Sequence, residues 1–184
     1  MSTEPNSLLA SMYSFPEFRI YPGRLDQIAR LIEIEQLALQ SFQESEVRSW
    51  FLQHPTPPEV LQKAIYENYL WVCECSSGEL AGFGDVVNFE SGPYLAGLYV
   101  HPQFSRQGVG TALLNAILEV VQARGFSEIW LTTTSDHLWH QPFYERHGFL
   151  VAEGAVVPPE IQVMLQIEAR MGWRTRRVAM RRMI

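Results

Sequence analysis

Residues 98–111, Leu-Tyr-Val-His-Pro-Gln-Phe-Ser-Arg-Gln-Gly-Val-Gly-Thr, hold the densest chemical signal in the chain. A β-branched and aromatic run ends at His101-Pro102. A basic turn containing Gly108 and Gly110 follows, and an amphipathic stretch begins at Thr111-Ala112-Leu113-Leu114. Strand, glycine turn and helix in that order present backbone N–H groups to a phosphate. The first turn of a helix has four N–H groups without internal partners, and the macrodipole places roughly half a positive charge there. Gly108 and Gly110 lack the side chains that would keep an anion off that backbone. The implied ligand is a pyrophosphate, and hence a nucleotide-type cofactor. The P-loop pattern fails because no Gly-Lys-Ser/Thr follows, and G-x-G-x-x-G fails because Leu113 stands at its third glycine.

The elements that must hold this turn are legible in the flanking pattern. Val109, Leu113, Ala116, Ile117 and Val120 form one helix stripe, with Asn115, Glu119 and Gln122 opposite. Arg124 suits the last turn and Gly125 the position after it. Upstream, a short strand at residues 18–21 leads to helices at 25–39, 44–52 and 57–66, the last with Pro57-Pro58 opening it. Strands at 69–75, 80–87 and 94–100 form an antiparallel meander that feeds the glycine turn. Downstream come a strand at 129–133, a short helix at 142–146, a strand at 149–152, a helix at 159–171 and a last strand at 177–183. Residues 1–14 read as a flexible terminus and 15–184 as one domain. The expected class is α+β, layered α/β/α, with a mixed and mainly antiparallel central sheet of about seven strands and helices on both faces.

The length of 184 residues fits one domain with a real core, and a net charge of −6 argues against a nucleic-acid binder. No apolar run approaches the roughly 20 residues that span a bilayer, and the first residues lack a basic-then-apolar signal pattern, so the expectation is cytoplasmic. Cys73 and Cys75 are placed as buried, reduced thiols rather than a disulfide or a zinc half-site. His137-x-x-His140 lacks a third ligand, and no metal is expected. The arginines at 170, 174, 176, 177, 181 and 182 resemble a nucleic-acid arm, but Val178, Met180 and Ile184 alternate with them as in a charge-protected edge strand. Of Trp50, Phe51, Leu61, Ile65 and Tyr66, most are expected in the core.

Val100-His101-Pro102, then Arg106-Gln107-Gly108-Val109-Gly110, then Pro142-Phe143-Tyr144-Glu145-Arg146-His147-Gly148-Phe149, resemble the GNAT superfamily of acetyl-CoA-dependent N-acetyltransferases. The likeness extends over residues 17–184 and is sharpest between 95 and 150. The family's phosphate turn opens with Gln or Arg where this chain has Ser105, while Arg106 and both glycines fit. The resemblance implies that Leu98, Tyr99 and Val100 line the pantetheine arm of acetyl-CoA, Leu98 and Val100 through backbone groups, where the strand splays from its neighbour. It implies that Arg106, Gln107, Gly108, Val109, Gly110 and Thr111 wrap the pyrophosphate. His137 or His140 stands where some members carry an Asn that bonds the cofactor arm.

Tyr144 matches the tyrosine that in this family lies beside the cofactor sulfur and protonates the departing thiolate. A thiol of pKa about 8.5 is a fair leaving group, and a phenol near pKa 10 can supply its proton. The acidic residue that many members carry before the cofactor strand is absent, since that stretch is Ala96-Gly97. Asp85, Glu90 and the His137/His140 pair are the remaining candidates for a base. A substrate α-amine of pKa about 7.7–8.0 is already partly neutral and can also lose its proton to water.

The resulting expectation is an enzyme that moves an acetyl group from acetyl-CoA directly to a primary amine of a small molecule or a protein, by positioning and by a backbone N–H on the Leu98–Val100 strand that polarises the carbonyl. The alternative is a non-catalytic acyl-CoA-binding sensor or regulatory module, and an RNA-modifying acetyltransferase fits the net charge least. Neither the acceptor nor the oligomeric state is written in the chain, though dimers are common in the family.

Overall fold

The structure, a computed structural model, describes residues 14–15, 18–40, 49, 52–135, 140–170 and 176–184. It divides into two compact units, Met1–Val86 with Gly97–Glu119, and Val87–Ala96 with Val120–Ile184. The strands are β1 (Ser14–Phe15), β2 (Phe18–Pro22), β3 (Leu70–Cys75), β4 (Leu80–Phe89), β5 (Gly92–Val100), β6 (Glu128–Thr134), β7 (Leu150–Ala152) and β8 (Arg177–Met183). The helices are α1 (Ile28–Gln40), α2 (Pro58–Tyr66), α3 (Val109–Ala123), α4 (His140–Arg146) and α5 (Pro159–Arg170).

In the first unit the strands pair in the order β1-β2-β3-β4-β5. Antiparallel ladders join β1 to β2, β2 to β3 and β3 to β4. The alternating apolar residues of β3 and β4 meet the buried stripes of α1 and α2, giving a core of Tyr21, Leu31, Ile34, Leu61, Ala64, Leu70, Val72, Leu80 and Phe83. In the second unit the order is β5-β6-β8-β7. Here β5 pairs in parallel with β6 at Tyr94–Trp130, and β8 runs antiparallel to both β6 and β7. Tyr94, Trp130 and Ala179 share one face, against which α5 packs Ile161. The fold is therefore the expected mixed, mainly antiparallel α+β arrangement, with an eighth strand supplied by the two-residue β1.

Several expectations need correction. β8 is not an edge strand, because β6 and β7 pair on either side of it; its arginines find carboxylate and carbonyl partners instead. Arg181 lies against Glu128 and over the Trp130 ring, and Arg182 donates to the His147 carbonyl at 2.6 Å. The exposed edge is β7, where Leu150 is 73% accessible. Of the set at 50–66, Leu61 is buried and Tyr66 is exposed. Cys73 is buried as expected, but Cys75 is only half-buried; both are free thiols. α3 starts two residues earlier than Thr111, and Ala112, Leu114, Leu118 and Val121 widen its buried surface beyond the single stripe. Most of the expected 44–52 helix, Trp50, Phe51, Arg174 and residues 1–13 lie outside the described residues. Among the described residues no helix is long and apolar enough to cross a membrane.

Close approach within the first unit depends on glycine. A Cβ on Gly82 would lie 2.5 Å from the Tyr99 carbonyl oxygen and 3.2 Å from side-chain atoms of Leu113 and Val109. The neighbour it meets first is backbone, which cannot swing aside. Gly82→Ala should therefore cost about 1–3 kcal/mol, the range for overpacking a tight interior, and lower the urea midpoint without changing the slope.

Candidate active site

The turn before α3 is built by short, local bonds. Pro102–Phe104 form one 3-10 turn, capped by His101 Nδ1, which accepts from the Gln103 amide at 3.2 Å. His101 is thus structural, and its own amide donates to Ala81 O at 2.9 Å. Ser105 N reaches Pro102 O at 3.1 Å, and Gln107 Nε2 reaches Gln103 O at 3.0 Å. The chain then reverses through two left-handed residues, Arg106 at φ 63° and Gly108 at φ 89°. For Gly108 that conformation is free, whereas for Arg106 it costs about 1 kcal/mol, a strain of the kind that gathers at ligand-binding turns.

The first bond into the helix is Ala112 N to Gly108 O, at 2.9 Å. Among the described residues the amides of Gln107, Gly108, Val109, Gly110 and Thr111 make no well-formed hydrogen bond to a protein acceptor, beyond the weak turn bonding across residues 105–108. A Cβ on Gly108 would meet nothing within 4 Å, so the space over this turn is open. Five N–H groups without a well-formed partner among the described residues, at the positive end of a 15-residue helix, suit a diphosphate by both geometry and sign. Leu98, Tyr99 and Val100 lie in the same unit at the end of β5, each half-buried, with the Tyr99 ring 5.1 Å from that of Phe83.

Asp85 sits inside β4 and is only 5% exposed. Its Oδ1 occupies the place a side chain on residue 97 would fill, 2.5 Å from that missing Cβ, so Gly97 makes the room for it. No side-chain hydrogen bond partners it among the described residues. Burial, reinforced by the Glu35 carboxylate, pushes Asp85 up to about 7. Glu35, equally buried on α1, accepts from Thr56 Oγ1 at 2.6 Å and from Thr56 N at 3.2 Å, which ties down the segment leading into α2. Glu90, the other carboxylate candidate, is exposed at the turn between β4 and β5.

In the second unit Tyr144 lies on α4, edge-on to Phe143 and to the fully buried Phe149, at 5.2 and 5.7 Å between ring centres. The residue keeps some exposure, but its phenolic end is enclosed. Burial pushes the hydroxyl well above the ordinary phenol range, Arg177 opposes that rise, and Tyr94 adds to it. The hydroxyl has no hydrogen-bond partner among the described residues, an arrangement that calls for a ligand. His140 Nδ1 lies 2.9 Å from Thr134 Oγ1 and fixes the start of α4 on β6. His137 lies outside the described residues.

Two features went unread in the sequence. One is the left-handed Arg106, for which no residue type gave a signal. The other is a buried cluster of Tyr94, Thr132, Glu168 and Arg177, drawn from four separate elements.

The acetyltransferase (GNAT) family model matches residues 39–149, more than half of the chain. The chain belongs to the GNAT family of acetyltransferases. Among curated proteins it is 29% identical over 83 residues to the [ribosomal protein bS18]-alanine N-acetyltransferase of Escherichia coli K12, a stretch covering 45% of this chain and 56% of that protein. It is 41% identical over 56 residues to N-alpha-acetyltransferase 30 of Schizosaccharomyces pombe, covering 30% and 37% respectively. The chain thus spans about half the length of the curated relatives it matches. Among solved structures, the ribosomal-protein-S18-alanine N-acetyltransferase of Escherichia coli superposes with TM-score 0.66 at 20% identity, over 91% of this chain and 94% of that one. The PaiA N-acetyltransferase of Thermoplasma acidophilum, in complex with coenzyme A, gives TM-score 0.66 at 17% identity, over 91% and 99%. At these identities the likeness is one of fold.

The Asp85 environment predicts a pH effect on stability. An unfolded aspartate titrates at about 3.9. Because the folded group titrates at about 7, the folded chain holds the extra proton between those values. Stability therefore falls as pH rises from about 4 to about 7, and the penalty persists above. Asp85→Asn removes it, so the variant should gain more in Tm over wild type at pH 8 than at pH 5. An equal change at both values would mean that Asp85 ionises normally.

Proposed function

We propose that this chain is an N-acetyltransferase that moves the acetyl group of acetyl-CoA directly to a primary amine of a small molecule or a protein. The observation that carries the reading is the row of unengaged amides from Gln107 to Thr111 behind a strained, open turn. Membership of the GNAT family supports it, as do the activities named for the relatives, one of which acts on an alanine of a ribosomal protein. Residues 15–184 act as one acetyltransferase domain, since the family match runs through residues of both compact units. The free thiols of Cys73 and Cys75 agree with a reducing, cytoplasmic setting.

The first unit offers the diphosphate site at residues 106–111 and, on Leu98, Tyr99 and Val100, the strand for the pantetheine arm. The second offers Tyr144. The amine nitrogen attacks the thioester carbonyl, its lone pair forms the N–C bond, and the C–S pair leaves with sulfur. Tyr144 stays protonated at working pH because burial disfavours its phenolate, so it is a hydrogen-bond donor to the departing sulfur. Full transfer to a thiolate of pKa about 8.5 is uphill for such a phenol, and its main service is to stabilise charge on sulfur as that charge appears. Asp85, at about 7, is the carboxylate poised to accept a proton near neutral pH, and Glu90 is its exposed alternative. An α-amine with pKa near 8 needs little help.

Acetyl-CoA at about 100 times its Kd should stabilise the chain by about 2.7 kcal/mol. A screen of amines, begun with alanine-initiated peptides, should then release free thiol. Tyr144→Phe should lower turnover about 100-fold with little change in acetyl-CoA affinity. Tight cofactor binding with no thiol release across the panel would replace the enzyme with a sensor, and an absent cofactor effect would overturn both.

A further inference from the structure

The face of β6 that carries Thr132 and Thr134 gathers four polar side chains from four elements. Opposed residues in an antiparallel ladder share a face, so Arg177 of β8, paired with Thr134, points the same way as Thr132. Tyr94 of β5 joins the face through its pairing with Trp130, and Glu168 comes down from α5. Arg177 Nη2 and Nε donate to Glu168 Oε1 and Oε2 at 2.6 and 3.0 Å, and Nη2 also reaches Thr132 Oγ1 at 3.2 Å. Thr132 has one proton, which goes to Glu168 Oε1 at 2.9 Å. Tyr94 must therefore donate to Thr132, at 2.6 Å. The ion pair is nearly enclosed, with side chains 17% and 9% exposed.

α4 lies over this same face. His140 bonds Thr134 from it, and Tyr144 follows one helical turn later, on the same side of the helix. We propose that Arg177, clamped by Glu168 and Thr132 on the face where α4 lays Tyr144, is a positioning residue that holds a fixed positive charge for the departing thiolate. This rests on the acetyl-CoA reading given above. Arg177 is the charge that opposes the burial of the Tyr144 phenol, while Tyr94 works against it, and Glu168 sets how much of the arginine's field is left over. His140 is the remaining titratable group on this side of α4.

Atoms and charge balance simply. As the N–C bond forms and the C–S pair passes to sulfur, the Tyr144 hydroxyl hydrogen moves toward that sulfur. The acceptor nitrogen loses its proton to solvent or to a carboxylate, and solvent restores any proton Tyr144 has given. Arg177 keeps its own protons throughout and acts only through its charge.

The test needs no acceptor. CoA with a 13C label on the carbon beside sulfur is bound to the full chain, and the thiol is titrated by the shift of that carbon. Arg177→Met should raise the bound thiol pKa by about one unit. Arg177→Lys should stay near wild type. Glu168→Gln, which keeps an acceptor but removes the opposing charge, should shift the thiol downward. Opposite shifts are the signature of a field, since a purely structural role would move both variants the same way or neither. If Arg177→Met fails to fold, the lysine and glutamine variants decide. Bound CoA whose thiol ignores all three overturns the positioning role alone. A wild-type chain that does not bind CoA overturns this role together with the acetyl-CoA reading.

Discussion

A helix cannot satisfy its own first amides, and among the described residues no backbone hydrogen bond to a protein acceptor satisfies those of α3. The segment from His101 to Gly108 is anchored to Ala81 through the His101 amide and is otherwise braced by local bonds: a histidine cap, a 3-10 turn, a glutamine returning to a carbonyl. It then turns left-handed at Arg106 and again at Gly108, and delivers the chain into the helix with the amides facing open space. Strain at a non-glycine residue beside a set of unpaired donors is unfavourable in isolation, and becomes intelligible if an anion completes the site. The buried apolar surface of α3 holds the helix in place while its end stays unsatisfied.

The second unit meets the opposite problem. There the polar groups are buried and nearly all of them are engaged: Tyr94 with Thr132, Thr132 with Glu168, Glu168 with Arg177. Tyr144 is the exception, an enclosed hydroxyl without a partner among the described residues. A phenol so placed is a poor acid and a good neutral hydrogen-bond donor. Burial of Asp85 beside Glu35 works in the same direction on a carboxyl group, and brings it within reach of neutral pH. In both units the low-dielectric interior, more than any hydrogen bond, decides which protonation state is available.

Much of this could be read from residue order, for reasons that differ between elements. The α3 stripe, the Gly125 cap and the β3–β4 hairpin follow from local periodicity and turn chemistry, which act within a few residues. The glycine turn into α3 was legible because glycine spacing and helix polarity are also local. β8 was misread as an edge because its alternating arginines look like protection against solvent, when they serve carboxylates and a carbonyl brought from Glu168, Glu128 and His147. The cluster around Arg177 spans residues 94 to 177, and no local rule links a helix glutamate to a strand arginine nine positions on. Asp85 could be named as a candidate, but its isolation beside Glu35 required the packing of α1 and the empty place at Gly97.

That the amides of residues 107–111 seat a diphosphate is tested most directly by a crystal structure of the chain grown with coenzyme A. The predicted result is the diphosphate seated on the turn, with its oxygens about 2.7–3.2 Å from several of those nitrogens. A diphosphate bound elsewhere, or a turn whose amides are taken by protein acceptors with coenzyme A in excess, would contradict it.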